Sequence, residues 1–171
     1  MGRAVDIVVL LGAPGSGKST VGARLARDGF RWRDWEVELL RRWGGREGFL
    51  ARKDEALPVF HDEVRRWIVE DGPPAVFETT GLSDAPLLAR LQDEAAAFVV
   101  RLDVGEVEAL RRIAARPRDR HLTDDPSASR RVVQAFQTHV VPRITPDLVI
   151  DTTTHTPAET TTTIRAALAD R

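Results

Sequence analysis

The eight residues Gly12-Ala13-Pro14-Gly15-Ser16-Gly17-Lys18-Ser19 constrain this chain more than any other stretch, because of what flanks them. Before them runs Val5-Asp6-Ile7-Val8-Val9-Leu10-Leu11, short, β-branched and almost continuously apolar, the pattern of a strand buried on both faces. After them Val21, Leu25 and Ala26 have helical spacing, and Gly29 can end that helix. Strands buried on both faces belong to parallel sheets covered by helices, so the segment predicts a fold class as well as a site. Glycines spaced in this way let successive backbone N–H groups curl toward phosphate oxygens while the following helix presents its positive end to the same anion. The pattern G-x-x-x-x-G-K-[ST] between strand and helix therefore predicts nucleoside triphosphate binding. Gly12, Gly15, Ser16 and Gly17 form the cradle and Lys18 reaches the β- and γ-phosphates. Ser19 supplies a hydroxyl to Mg²⁺ and Thr20 donates to the α-phosphate. Lysine occurs only at positions 18 and 53, so a Lys at the place phosphate chemistry requires is not background.

The rest of the chain keeps alternating. Phe30 and Trp32 make a short apolar approach, and Pro74 to Phe77, Ala97 to Leu102 and Asp147 to Asp151 read as further strands. Between them, helical spacing runs from Glu36 to Trp43, stopped by Gly44-Gly45, and through Leu57, Phe60, Val64, Trp67 and Ile68, with Pro58 in the first turn. Leu87, Leu88 and Leu91 mark another helix. Asp103 with Glu106 has capping-box spacing for a helix to Arg116, Arg130 to Val140 forms one more, and Thr156, Pro157 and Glu159 cap the last. The expected fold is α/β: three layers, a five-stranded parallel sheet with helices on both faces, in one domain over residues 1–171.

Composition narrows the function. The chain has 171 residues, 42% hydrophobic and 30% charged, with a formal net charge of −1 and no cysteine. No apolar run approaches the ~20 residues of a membrane span, and Asp6 interrupts the first one, so neither an anchor nor a signal peptide is expected. Absence of Cys excludes thiolate catalysis and Cys-based metal sites, and cytoplasm is the default compartment. The net charge gives no reason to expect nucleic acid as a partner. There is no Asn with which to build an Asn-Lys-x-Asp guanine reader, and no acid pair follows an apolar strand as in mechanical ATPases. Small phosphoryl-transfer enzymes remain.

Over nearly its whole length the sequence resembles the small P-loop kinases, above all the shikimate kinase family. Gly12 to Thr20 is similar to that family's first motif. Asp34-Trp35-Glu36-Val37-Glu38 resembles its Asp-x-Asp-x-x-Ile-Glu segment, with Trp32 in place of the first, magnesium-side Asp and Asp34 matching the one that contacts the acceptor hydroxyl. Ala75-Val76-Phe77 runs into Glu78-Thr79-Thr80-Gly81 in place of a Gly-Gly-Gly substrate loop, where only Gly81 is kept. Arg116 to Leu122 resembles the arginine-bearing lid, with Arg120-His121-Leu122 for Arg-Pro-Leu, and Pro146 to Asp151 resembles the closing strand. Phe60-His61 stands where the family has Phe-Arg, the Arg that pairs with the substrate carboxylate. The resemblance implies an acceptor-binding helical region at about residues 34–70, a lid at about 116–129, and a hydroxyl acceptor other than shikimate.

On the acceptor side, Asp34 is suited both to capping a helix and to taking the proton of the attacking hydroxyl. Glu78, at the carboxyl end of a central strand, can hold a magnesium-bound water or touch the acceptor. His61 and Gly81 are candidate acceptor contacts. Arg65, Arg66 and four Trp (32, 35, 43, 67) crowd the same region, either as packing or as a wall for a ring-bearing acceptor. Arg116, Arg118 and Arg120 lie in a polar segment with Pro117, with Arg116 assigned to nucleotide and Arg120 to the transferred phosphoryl group. The expected protein is a monomeric or weakly dimeric ATP-dependent kinase with Lys18, Asp34, Glu78 and Arg120 as catalytic residues. Nucleoside or nucleotide kinase, polynucleotide 5′-hydroxyl kinase and an ATP-binding regulatory module are the alternatives.

Overall fold

A computed structural model describes residues 5–70, 72–117, 121–123 and 125–171. The apolar run begins the sheet as β1 (Ile7–Leu11) and leads through the glycine loop into α1 (Lys18–Arg27). There follow β2 (Arg31–Trp32), α2 (Trp35–Arg42), α3 (Gly45–Ala51), α4 (Lys53–Ile68), β3 (Ala75–Thr79) and α5 (Ala85–Glu94). The chain continues with β4 (Ala97–Asp103), α6 (Glu106–Ala115), α7 (Pro126–Ala135), a π-helical turn (Phe136–Val140), β5 (Leu148–Asp151) and α8 (Pro157–Ala169). The five strands are parallel in the order β2-β3-β1-β4-β5, and β1 pairs Ile7–Leu11 with Ala75–Thr79 on one side and with residues 97–101 on the other.

Both faces of β1 are covered, as a continuous apolar run requires. Ile7, Val9, Leu11, Phe77 and Val99 pack with residues of α2, α4 and α5, while Val8, Leu10, Val76 and Val100 pack with Val21, Leu25 and Ile164 from α1 and α8. Because side chains alternate along a strand, Glu78 and Thr79 at the end of β3 fall on opposite faces, and this sends their chemistry in two directions.

Several boundaries differ from expectation for identifiable reasons. Gly44 and Gly45, at φ +75° and +83°, stop α2 as expected, and the same left-handed turn opens α3 at once. Pro58 lies in the second turn of α4, which starts at Lys53; the carbonyl left without a donor belongs to exposed Asp54, where water can serve it. Asp103 is not a cap: it ends β4, held by Arg101 at 2.9 and 3.1 Å, and Gly105 begins α6 with no side-chain cap. The segment expected to stay irregular through Ser129 is helical from Pro126, because Asp125 accepts the Ala128 amide at 2.7 Å. At the C-terminal helix the capping box of Thr156 and Glu159 is present in both directions.

Phe77 is fully buried at mid-sheet, its ring 6.4 Å from that of Phe60 on α4. Phe77→Ala is expected to cost about 3–5 kcal/mol, read as a lowered denaturant midpoint with an unchanged slope.

Candidate active site

The loop between β1 and α1 is shaped by its neighbours as much as by its glycines. A Cβ on Gly15, which sits at φ +80°, would lie 2.6 Å from the Ala109 carbonyl oxygen of α6, and one on Gly12 would lie 2.8 Å from that of Leu102 in β4. Gly17, at φ +88°, opens α1. The Gly12 amide is tied to the Thr79 carbonyl at 3.1 Å, and Arg112 of α6 reaches the Gly15 carbonyl at 3.3 Å and the Thr152 carbonyl at 2.7 Å. Among the described residues the amides of Gly15, Gly17, Lys18, Ser19 and Thr20 donate to no backbone acceptor. Five N–H groups and an ammonium in one turn make an anion cradle. Ser16 is buried beneath Gly12, and no hydrogen bond satisfies its hydroxyl.

Lys18 Nζ folds back on the Gly12 and Ala13 carbonyls at 2.8 and 3.0 Å. Burial holds its ammonium below the usual lysine range, against the pull of Glu78 and Glu36 and with the help of Arg116. Ser19 and Thr20 are exposed in the first turn of α1, and the Ser19 hydroxyl donates to Glu78 Oε2 at 2.6 Å. The other carboxylate oxygen of Glu78 accepts from Trp32 Nε1 at 3.3 Å. Trp32 can lie there only because residue 22 of α1 is Gly, where a Cβ would come within 2.3 Å of the indole nitrogen. Burial pushes the Glu78 carboxyl up, and the charges of Asp34 and Glu36 add to the rise that Ser19 and Lys18 oppose.

Asp34 caps α2 by accepting the Val37 amide at 3.2 Å, and its charge reaches Glu78. Glu36, two residues further in the first turn of α2, was not legible as a site residue. It holds the segment after α6: Leu122 N–H donates to Glu36 Oε1 at 2.7 Å and His121 Nδ1 lies 3.1 Å from Oε2. Burial raises the Glu36 carboxyl, but those two hydrogen bonds and the charges of His121 and Lys18 bring it below its ordinary value. Arg116 donates to the Thr123 carbonyl at 2.7 Å and contributes to the field at Lys18. Arg118 and Arg120 lie outside the described residues.

His61 and Gly81 come together on the other face of the sheet end. His61 Nε2 lies 3.0 Å from Asp84 Oδ1, Thr79 Oγ1 donates to Asp84 Oδ2 at 2.5 Å, and the Gly81 amide donates to Thr79 Oγ1 at 2.8 Å. Asp84 precedes α5 at the cap position yet makes no cap bond there. Trp35, Trp43 and Trp67 are core residues, and with Arg33, Arg66 and Phe60 they line a groove of about 760 Å³ that includes none of the phosphate loop, Asp34, His61 or Glu78. Arg65 pairs with Glu94 on the surface.

No protein-family model matches the chain. A shikimate kinase from Frankia casuarinae is 32% identical over 98% of this chain and 75% of its own length. The chain belongs to the shikimate kinase family. Solved structures agree in fold: a shikimate kinase from Acinetobacter baumannii in complex with shikimate (TM-score 0.74, 19% identity, 98% of this chain and 94% of that one). A gluconokinase from Sinorhizobium meliloti 1021 is similar over 98% and 94% (TM-score 0.68, 19% identity), as is a deoxyadenosine kinase from M. mycoides over 95% and 98% (TM-score 0.64, 15% identity). This shikimate kinase relative is accordingly a P-loop small-molecule kinase. No helix among its described residues is long and apolar enough to cross a membrane.

Against the shikimate kinase motifs, Trp32 in place of an acid leaves Glu78 as the carboxylate bonded to Ser19. Asp84 and Arg112 carry no local signal, because His61, Gly15 and Thr152, which they meet, lie 23, 97 and 40 residues away along the chain.

Because Glu36 titrates lower in the fold than in the unfolded chain, near ~4.3, its contribution is complete above that value and is lost as pH falls through the folded one. Glu36→Gln is expected to lower stability by about 1 kcal/mol at neutral pH, a value reduced for its partial exposure. Thermal melts across pH should show the deficit shrinking below about pH 4.

Proposed function

We propose that this chain transfers the γ-phosphate of ATP to a hydroxyl of a small molecule other than shikimate. The observation that carries the reading is the cradle of five unengaged amides around Lys18, with the Ser19 hydroxyl already bonded to Glu78. Kinases of this family work on Mg·ATP. The donor set fits that ion: Mg²⁺ is held by one or two protein oxygens with phosphates and water for the rest, and the Ser19 hydroxyl and a Glu78 carboxylate oxygen lie 2.6 Å apart beside the loop. Ser19, with Glu78 behind it, would hold the ion, which neutralises charge on the β- and γ-phosphate oxygens.

Lys18 lets go of the Gly12 and Ala13 carbonyls to meet the β- and γ-oxygens when nucleotide arrives. The acceptor oxygen attacks the γ-phosphorus as the bond to the β–γ bridging oxygen breaks, and ADP leaves with that electron pair. The hydroxyl proton goes to the Asp34 carboxylate, which keeps one oxygen for the Val37 amide and has the other available. The segment bearing Arg116, seated on Glu36 through His121 and Leu122, closes over the phosphates. The replacement of the family's carboxylate-pairing Arg by His61 supports an acceptor other than shikimate.

Two substitutions test this. Lys18→Ala is expected to abolish acceptor-dependent ADP release with an unchanged thermal melt. Normal turnover in a folded variant would refute the assignment. Asp34→Asn retains a cap oxygen but not the base, so kcat should fall by ~10²–10⁴ with little change in melting temperature. A variant with ordinary kcat would leave Asp34 as a cap alone.

A further inference from the structure

His61, Asp84, Thr79 and Gly81 form a closed hydrogen-bond set at the carboxyl end of β3, one residue along from Glu78 and on the opposite face of the strand. The set is well buried: 15% of the His61 side chain and 14% of that of Asp84 remain exposed. Its donors and acceptors can be assigned one by one. An ionised Asp84 only accepts, so both its oxygens are engaged, Oδ2 by the Thr79 hydroxyl and Oδ1 by His61. The Thr79 hydroxyl, having given its proton to Asp84, accepts from the Gly81 amide. His61 must therefore carry a proton on Nε2, and in the singly protonated ring Nδ1 is a lone pair. That nitrogen has no partner among the described residues and is not among the buried unpartnered atoms, so it is open to solvent.

Asp84 supplies the second sign of design. It stands at the N-cap position of α5, where an Asp ordinarily accepts a helix amide, and it makes no such bond. Its carboxylate is committed to His61 and Thr79 instead. Among the described residues no Lys or Arg bonds to Asp84, Thr79 or Gly81, so this corner presents an acceptor nitrogen backed by a negative charge. Two of the named relatives act on shikimate and gluconate, both hydroxylated carboxylates. A carboxylate has no proton to give Nδ1 and would face Asp84, whereas a hydroxyl or an ammonium group has the proton Nδ1 needs.

We propose that His61, held in one tautomer by Asp84, is a specificity-determining contact that reads a hydrogen-bond donor on the acceptor. The substrate class is then a hydroxyl- or amino-bearing small molecule without a carboxylate at that position. The inference rests on the kinase reading above, and two measurements separate their failures. In mildly alkaline buffer, the imidazole ¹⁵N spectrum of the full chain should show His61 as the Nε2–H tautomer, and Asp84→Asn should mix the tautomers. An Nδ1–H or persistently charged ring in the wild type would overturn the proposal whatever the activity.

The second measurement uses three six-carbon polyols that differ only at C1: gluconate, glucitol and 1-amino-1-deoxyglucitol. With Mg·ATP, kcat/KM for the latter two should exceed that for gluconate by about tenfold or more, and His61→Arg, if it melts like the wild type, should reverse the order. A wild-type preference for gluconate, or an unaltered ratio in folded His61→Arg, overturns the proposal. ADP release with none of the three counts against the kinase reading for such acceptors, and the tautomer spectrum then decides the role of His61.

Discussion

The path of the backbone from Gly12 to Gly17 is the constraint on which the rest depends. Two carbonyl oxygens, of Leu102 in β4 and Ala109 in α6, stand where side chains at positions 12 and 15 would be. The sheet and its helical layer thereby set the loop from outside, and bonds from Gly12 N–H to Thr79 and from Arg112 to Gly15 tie it to both neighbouring strands' surroundings. Amides held open by the surrounding architecture need no reorganisation when an anion arrives, which is the condition under which fixed dipoles contribute most to phosphoryl transfer. The Phe77 and β1 core matters to chemistry for this reason: it keeps the strands in register, and the register aims the loop.

A second consequence concerns charge. Lys18 lies in the field of Glu78 and Glu36, and these two acids are displaced in opposite directions, Glu78 upward by burial and Glu36 downward by its hydrogen bonds and nearby positive charge. Groups pushed apart in this way take different tasks. Glu36 is committed to His121 and the Leu122 amide, so its charge is spent on holding these two residues after α6. Glu78 has lighter obligations, a Ser19 hydroxyl and an indole N–H, which is consistent with the magnesium-side role proposed for it.

What could be seen in the sequence follows from how each feature is encoded. The sheet, its helices and the phosphate loop announce themselves through local patterns: a β-branched run, a 3.6-residue spacing, glycines and a lysine at set intervals. Lys18, Ser19 and Glu78 meet where the strand ends predict. Boundaries were lost where a single residue carries two meanings. Gly44-Gly45 marks the stop of α2 correctly, but the left-handed turn it permits also opens α3, a helix the spacing did not announce. Asp103 with Glu106 has capping-box spacing, yet the β4 ladder to β5 extends through Asp103 and outcompetes it. His61–Asp84 and Glu36–His121 join residues 23 and 85 apart, and no window along the chain contains both partners of the second pair.

The same difference in encoding separates the two halves of the proposed site. Phosphate is met by backbone amides, whose positions depend on a few glycines and on layer packing, so substitutions elsewhere leave the donor half intact. The acceptor is met by side chains that work in pairs across elements. Removing one member, as in a His61→Ala variant, would leave the largely buried Asp84 carboxylate one hydrogen bond short, so the two positions are energetically coupled. Trp32 illustrates the coupling: a bulky indole beside Glu78 is possible only with Gly22 on α1, a packing condition on a helix that never touches the acceptor. Under the proposed function the fold supplies the phosphate loop through layer packing, and acceptor choice falls to side-chain pairs such as His61–Asp84.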